Sequence, residues 1–157
     1  MTPSRKFAFV RTRRVLQIRA IANPEPRTPM KTAAQLVAEA NERIETLSLE
    51  QLEAELLTGH LVLLDVREAD EHRQGAIPGA RLAPRGMLEF YADPSNPFHR
   101  HDLQPSQRVV LYCGSGGRSA LAAAALQALG YTRVAHLAGG YKAWSASGRA
   151  VGAADAP

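Results

Sequence analysis

The chain has 157 residues, 45% of them hydrophobic, with one cysteine and a formal net charge of +4. That size supports one domain with a sizeable core, and a lone cysteine excludes an intramolecular disulfide framework and any cysteine-cluster zinc site. No apolar run approaches the roughly 18 residues of a spanning helix, so no membrane contact is expected. A lone thiol fits a reducing compartment, with the cytoplasm as the expected location.

The charge is unevenly placed. Residues 1–29 carry seven basic residues (Arg5, Lys6, Arg11, Arg13, Arg14, Arg19, Arg27) against one acid, Glu25. Residues 30–157 carry twelve basic and fourteen acidic residues, so the folded part is mildly acidic and shows no nucleic-acid footprint. Arginines interrupt every apolar run of the extension, and no signal-peptide core forms. Three prolines within Asn23–Pro29 exclude regular structure there. A basic, disordered extension is expected over 1–29, with Met30 as an alternative start; organelle import through this segment is the competing reading.

An amphipathic helix is predicted over 30–46. Ala33, Leu36, Val37, Ala40, Ile44 and Leu47 share one stripe, which would pack on the domain or on a partner. Ser48 and Gln51 have the spacing of a capping box, with Leu47 and Leu52 as a staple, so a second helix runs from there to a stop at Gly59. Leu61-Val62-Leu63-Leu64 is a short continuous apolar run, as a buried parallel strand requires. It ends abruptly in charge at Asp65-Val66-Arg67-Glu68. A short helix to about Arg73 follows, then the turn-rich Gly75–Ala80. Residues 84–107 are irregular, with one or two helical turns at Met87–Tyr91. His99 and His101 lack further clustered ligands, so no metal site is expected.

The chain is organised around Val109-Val110-Leu111-Tyr112-Cys113-Gly114-Ser115-Gly116-Gly117-Arg118-Ser119. A β-branched strand ends in the only cysteine, small residues make a tight loop, and an alanine-rich helix follows from Ser119 to about Leu129. In open α/β folds, ligands bind at such a junction. The small residues let successive N–H groups point into one concavity, and the helix N-terminus adds partial positive charge. A cysteine there ionises more easily, and the thiolate is the nucleophile. Arg118 adds a fixed cation able to hold an oxyanion. A further strand, Arg133–Leu137, leads through Ala138-Gly139-Gly140 into a helix through Trp144. Strands alternating with helices imply an α/β fold with parallel pairing, over 47–151, and a frayed tail at 152–157.

Spacing tests the competing readings of the loop. Gly114-x-Gly116 is not followed by the third glycine of a dinucleotide fingerprint, and no Asp or Glu occurs between Asp102 and Asp155 to bind a ribose. The glycine spacing of a nucleotide P-loop is also missing. Cysteine phosphatases place five residues between cysteine and arginine; here there are four. A phosphoryl group with three peripheral oxygens needs a wider cradle than a terminal sulfur does.

The shorter loop resembles that of the rhodanese, or sulfurtransferase, family. Leu63-Leu64-Asp65-Val66-Arg67-Glu68 with Glu71 and Gly75-Ala76-Ile77-Pro78-Gly79-Ala80 are similar to its upstream signature. Leu137-x-Gly139-Gly140-Tyr141-x-x-Trp144 resembles its C-terminal one. The resemblance implies a single rhodanese-like domain, with about five mainly parallel strands and helices on both faces. It implies that Cys113 takes a sulfane sulfur as a persulfide, from thiosulfate or another persulfide, and passes it to a thiol or cyanide. By position, Gly114, Ser115, Gly116, Gly117, Arg118 and Ser119 would cradle the persulfide. Asp65 and Arg67 would support the site with hydrogen bonds to loop or donor. A protein persulfide is a possible donor partner, and no metal or organic cofactor is implied. A small cysteine phosphatase or arsenate reductase, and a rhodanese-fold binding module, are the alternatives.

Overall fold

The computed structural model describes residues 29–152, and the compact unit begins at Lys31. The expectations for the basic extension 1–28 and for tail residues 153–157 lie outside the described residues. Gly152, the first residue of the tail expected to fray, is tied back instead by an antiparallel bridge to Ala76.

The elements run α1 (Ala33–Asn41), β1 (Glu45–Leu47), α2 (Leu49–Thr58), β2 (Val62–Asp65), α3 (Ala69–Arg73), β3 (Arg81–Leu82), a 3-10 turn at Arg85–Met87, α4 (Leu88–Ala92), β4 (Arg108–Tyr112), α5 (Gly117–Ala128), β5 (Arg133–Leu137) and α6 (Gly140–Ala146). Local chemistry sets several boundaries. The Ser48 hydroxyl accepts from the Gln51 N–H while the Gln51 side chain accepts from the Ser48 N–H. Helix α2 therefore opens with two of its orphan donors satisfied. It closes at Gly59, whose φ of +69 is a left-handed cap that favours glycine.

The five strands form one sheet in the order β1-β5-β4-β2-β3, every pairing parallel. Alternate strand residues face opposite layers. Leu64, Val109, Leu111 and Val134 meet α1, α4 and α5 through Ala40, Leu88 and Leu126. Leu63, Val110, Ala135 and Leu137 meet α2 and α6 through Leu52 and Trp144. Val109, Val110 and Leu111 are fully buried, each contributing roughly 1.5–3 kcal/mol relative to exposure. Their burial between two helical layers explains the unbroken apolar run.

The single helix predicted over 30–46 is two elements. Helix α1 stops at Asn41, and Glu45–Leu47 is a strand whose residues pair with Ala135, His136 and Leu137. Ile44 and Leu47 do lie at helical spacing from Ala40, but a three-residue strand is too short to show its own period. The ladder with β5, 90 residues away in sequence, decides the conformation. Both elements belong to the domain: Ala40 and Ile44 are buried in the same layer as α5.

The order of the strands places a switch point between β2 and β4. The chain leaves β2 toward β3 on one side and leaves β4 toward β5 on the other. Asp65 and Tyr112 end these neighbouring strands as register partners. The crevice at their carboxyl ends is where open α/β sheets bind ligands.

Candidate active site

Cys113 follows β4 directly at this switch point. Helix α5 begins two residues earlier than predicted, at Gly117, so Arg118 and Ser119 lie in its first turn. The loop proper is Gly114-Ser115-Gly116. Gly116 has φ +113, a conformation side chains rarely adopt. It turns its N–H back on Cys113, with N to Sγ at 3.1 Å.

The outer carbonyls of the loop are fixed by α6. The Tyr141 N–H donates to Cys113 O at 2.8 Å, and the Lys142 N–H to Gly114 O at 3.0 Å. Gly140 allows this approach: a Cβ there would lie 2.5 Å from Cys113 O, and its φ is +58. With two carbonyls bonded to α6, the loop's N–H groups face the cysteine.

The Cys113 side chain is buried. Burial opposes ionisation, but the Ser119 hydroxyl and the N–H groups of Ser119, Gly116 and Ser115 outweigh it and hold the thiol below its ordinary pKa. Of these groups, the Gly116 N–H is the one that hydrogen-bonds the sulfur. Gly114 and Gly117 contribute backbone and space. A Cβ at Gly114 would press within 3.3 Å of Arg118 Nη2, whereas one at Gly117 would only touch Val37.

Arg118 is not a free cation. Its Nη1 and Nη2 donate to Glu71 Oε2 and Oε1 at 2.7 and 2.9 Å. The paired guanidinium holds the Glu71 carboxyl down to about 2. A bidentate pair uses one N–H of each terminal nitrogen, so donors remain for an incoming anion. Arg118 is itself pushed up, first by Glu71 and also by the charge of Cys113, which places it within electrostatic reach of the thiolate.

Of the hydrogen bonds expected from Asp65 and Arg67, none goes to the loop. Both residues are buried, at 0% and 4% exposure, and they face each other. Arg67 Nη2 donates to Asp65 Oδ2 at 2.7 Å and also to Gly75 O at 2.7 Å. Asp65 further receives His72 Nδ1 at 2.8 Å and the Tyr112 hydroxyl at 2.9 Å. Arg67 lies 4.1 Å from the Tyr141 ring centroid. Burial opposes the Asp65 charge, yet the bonds from Arg67 and His72 leave its pKa lowered. A carboxylate so engaged has no capacity for a donor. Its support is indirect: it clamps Tyr112, the residue before Cys113, and through Arg67 reaches Tyr141, whose N–H holds the loop.

Sequence reasoning missed His72, Tyr112 and His136 as parts of this site. His72 sits in a charged segment, and Tyr112 and His136 read as strand positions. The available signal was a polar atom inside an apolar run, because buried polar groups need partners.

Comparison with known proteins places the arrangement. The rhodanese-like domain profile matches residues 48–147. The chain is 36% identical to a sulfurtransferase from Allochromatium vinosum over 105 residues, covering 67% of this chain and 89% of that protein. Among solved structures, a Rhodopseudomonas palustris protein of unknown function, described as a possible tyrosine phosphatase, is 38% identical. It has a TM-score of 0.75 and covers 82% of this chain and 99% of its own. The human single-domain sulfurtransferase is 31% identical with a TM-score of 0.59, covering 64% of this chain and 95% of its own.

Proposed function

The chain belongs to the rhodanese-like domain family, and on that premise we propose that it is a sulfurtransferase carrying a sulfane sulfur on Cys113. The observation that carries the reading is the set of donors on Cys113. The Gly116 N–H meets the sulfur at 3.1 Å, the neighbouring Ser115 and Ser119 groups further favour its anionic form, and such a donor suits the terminal sulfur of a persulfide.

In the first half-reaction the Cys113 thiolate attacks the outer sulfur of the donor. With thiosulfate, the new S–S bond forms as the old one breaks, and sulfite leaves with the electron pair. In the second, a thiolate or cyanide attacks the outer sulfur of the Cys113 persulfide and Cys113 leaves as thiolate. The steps balance without an external oxidant or reductant, and a ping-pong scheme follows. The remaining N–H groups of Arg118 would meet the anionic end of the donor. Because the thiol is buried at 1% exposure, a slim terminal sulfur reaches it most readily, which favours thiosulfate or a small persulfide over a bulky protein donor. With the reducing compartment inferred from one thiol, a cytoplasmic role fits this reading.

The Rhodopseudomonas neighbour gives the phosphatase reading a specific footing. Two observations weigh against it. Four residues separate Cys113 from Arg118. A phosphatase also needs a protonated acid for the leaving group, while Glu71, held down to about 2, is a carboxylate at neutral pH.

Initial-rate kinetics with thiosulfate and cyanide test the assignment. Parallel double-reciprocal lines are expected, together with no turnover of a small aryl phosphate. Aryl phosphate turnover without sulfur transfer would replace this reading with the phosphatase.

A further inference from the structure

His136 is a buried titratable group with no role in the scheme above. It lies in β5 at 3% exposure, on the face that carries α5. Its Nδ1 is 3.1 Å from Ser119 Oγ, and its Nε2 is 3.2 Å from Thr46 Oγ1. Thr46 is its register partner on β1. Ser119 Oγ is also 3.2 Å from Gly116 O, and Gly116 donates its N–H to Cys113 Sγ. Polar contacts therefore run from the edge strand to Gly116, the residue whose N–H faces the sulfur.

We propose that His136 is a positioning residue that aims the Ser119 hydroxyl proton at the Gly116 carbonyl and so holds the turn whose N–H faces the Cys113 sulfur. The argument is a count of protons. A neutral imidazole carries one N–H. Burial, with no charged partner to offset it, pushes His136 below its ordinary value of 6.5, so the ring is neutral at neutral pH. Were the proton on Nε2, Nδ1 would accept from Ser119, whose single hydroxyl proton would then point away from Gly116 O. With the proton on Nδ1, the ring donates to Ser119 Oγ and releases that hydroxyl proton for Gly116 O. A carbonyl can only accept, so the Ser119 contact with Gly116 O selects the second arrangement, and the Thr46 hydroxyl then donates to Nε2. Thr46 lies upstream of the matched residues 48–147. Strand β1 thus brings to the site a group that the matched segment does not include.

The role in catalysis rests on the sulfurtransferase reading, but the test does not. It is the pH dependence of Cys113 alkylation by iodoacetamide on the full chain, with thermal melts of each variant. His136→Leu removes both ring nitrogens and is expected to raise the Cys113 pKa by about one unit, roughly a tenfold loss of thiolate below it. Thr46→Val should raise it in the same direction by about half as much. His136→Asn keeps an amide N–H close to the Nδ1 position, and Thr46→Ser keeps the hydroxyl. Both should titrate near wild type. A folded His136→Leu and a folded Thr46→Val that both titrate as wild type overturn the proposal. If His136→Leu does not fold, Thr46→Val on the exposed edge strand decides alone, a raised pKa supporting the proposal and an unchanged one overturning it. Alkylation needs no sulfur donor, so a chain that never transfers sulfur would sink the sulfurtransferase reading while this result stood.

Discussion

Two arginines in this protein each grip a carboxylate with two nitrogens, and they do opposite jobs. Arg67 and Asp65 are 4% and 0% exposed and sit below the sheet's carboxyl edge. Arg118 and Glu71 are 40% and 38% exposed and sit beside the loop. In the buried pair the carboxylate is fully engaged, with His72 and Tyr112 on it beside Arg67, and one Arg67 nitrogen also bonds Gly75. It is scaffold, holding β2, β4 and α6 together under Cys113. The half-exposed pair keeps unused N–H groups next to the thiolate, so it can answer an incoming anion. Burial, more than residue type, separates the two arginines.

The contrast breaks first at the buried pair. Arg67→Met leaves the Asp65 charge without its main partner, and a loss of about 3–5 kcal/mol in stability is expected. Chemical denaturation measures it; a loss below about 1 kcal/mol would show that the pair is not the scaffold described. Next comes the joint between scaffold and loop. Gly140→Ala forces a Cβ toward Cys113 O at a φ of +58. A destabilisation of about 2–3 kcal/mol is expected, with slower Cys113 alkylation because the loop must shift.

Arg118→Ala should behave in the opposite sense to Arg67→Met. Stability should change by less than about 1 kcal/mol, since the pair is solvent-screened. By contrast, kcat/KM for an anionic donor should fall about 10- to 100-fold, the scale of one charge-assisted hydrogen bond. The smallest effect concerns pH. Glu71 titrates below its ordinary 4.5, at about 2. Its contribution is therefore complete above 4.5 and fades as pH falls toward 2. Glu71→Gln should abolish that small acid-limb loss in a denaturation series, and it should lower KM for thiosulfate about twofold to fivefold by removing a like charge.

Legibility in the sequence followed locality. The capping box at Ser48 and the left-handed stop at Gly59 were readable because a few neighbouring residues decide them. Strands β2, β4 and β5 were readable because burial on both faces leaves an apolar run. Strand β1 was not, since only pairing with His136 and Leu137 makes it a strand. Strand β3, two residues long, follows from pairing with Leu64 and Asp65. In the site, Cys113 and its loop were legible from the cluster of small residues, and the fold places Arg118 beside the thiolate. The role of Asp65 was not legible. A charge at a strand end can turn up toward a ligand or sideways into the core, and His72, Tyr112 and Gly75, none adjacent to it, decide which. His136 was hidden for the same reason: its partners lie 17 and 90 residues away.

The central claim is that Cys113 accepts a single sulfur atom. Intact mass spectrometry of the full chain after incubation with thiosulfate tests it directly. The account predicts a gain of one sulfur mass, located on Cys113, lost on adding cyanide and absent from Cys113→Ser. An unmodified mass with thiosulfate and with small persulfide donors alike, from a folded protein whose Cys113 still alkylates, would contradict it.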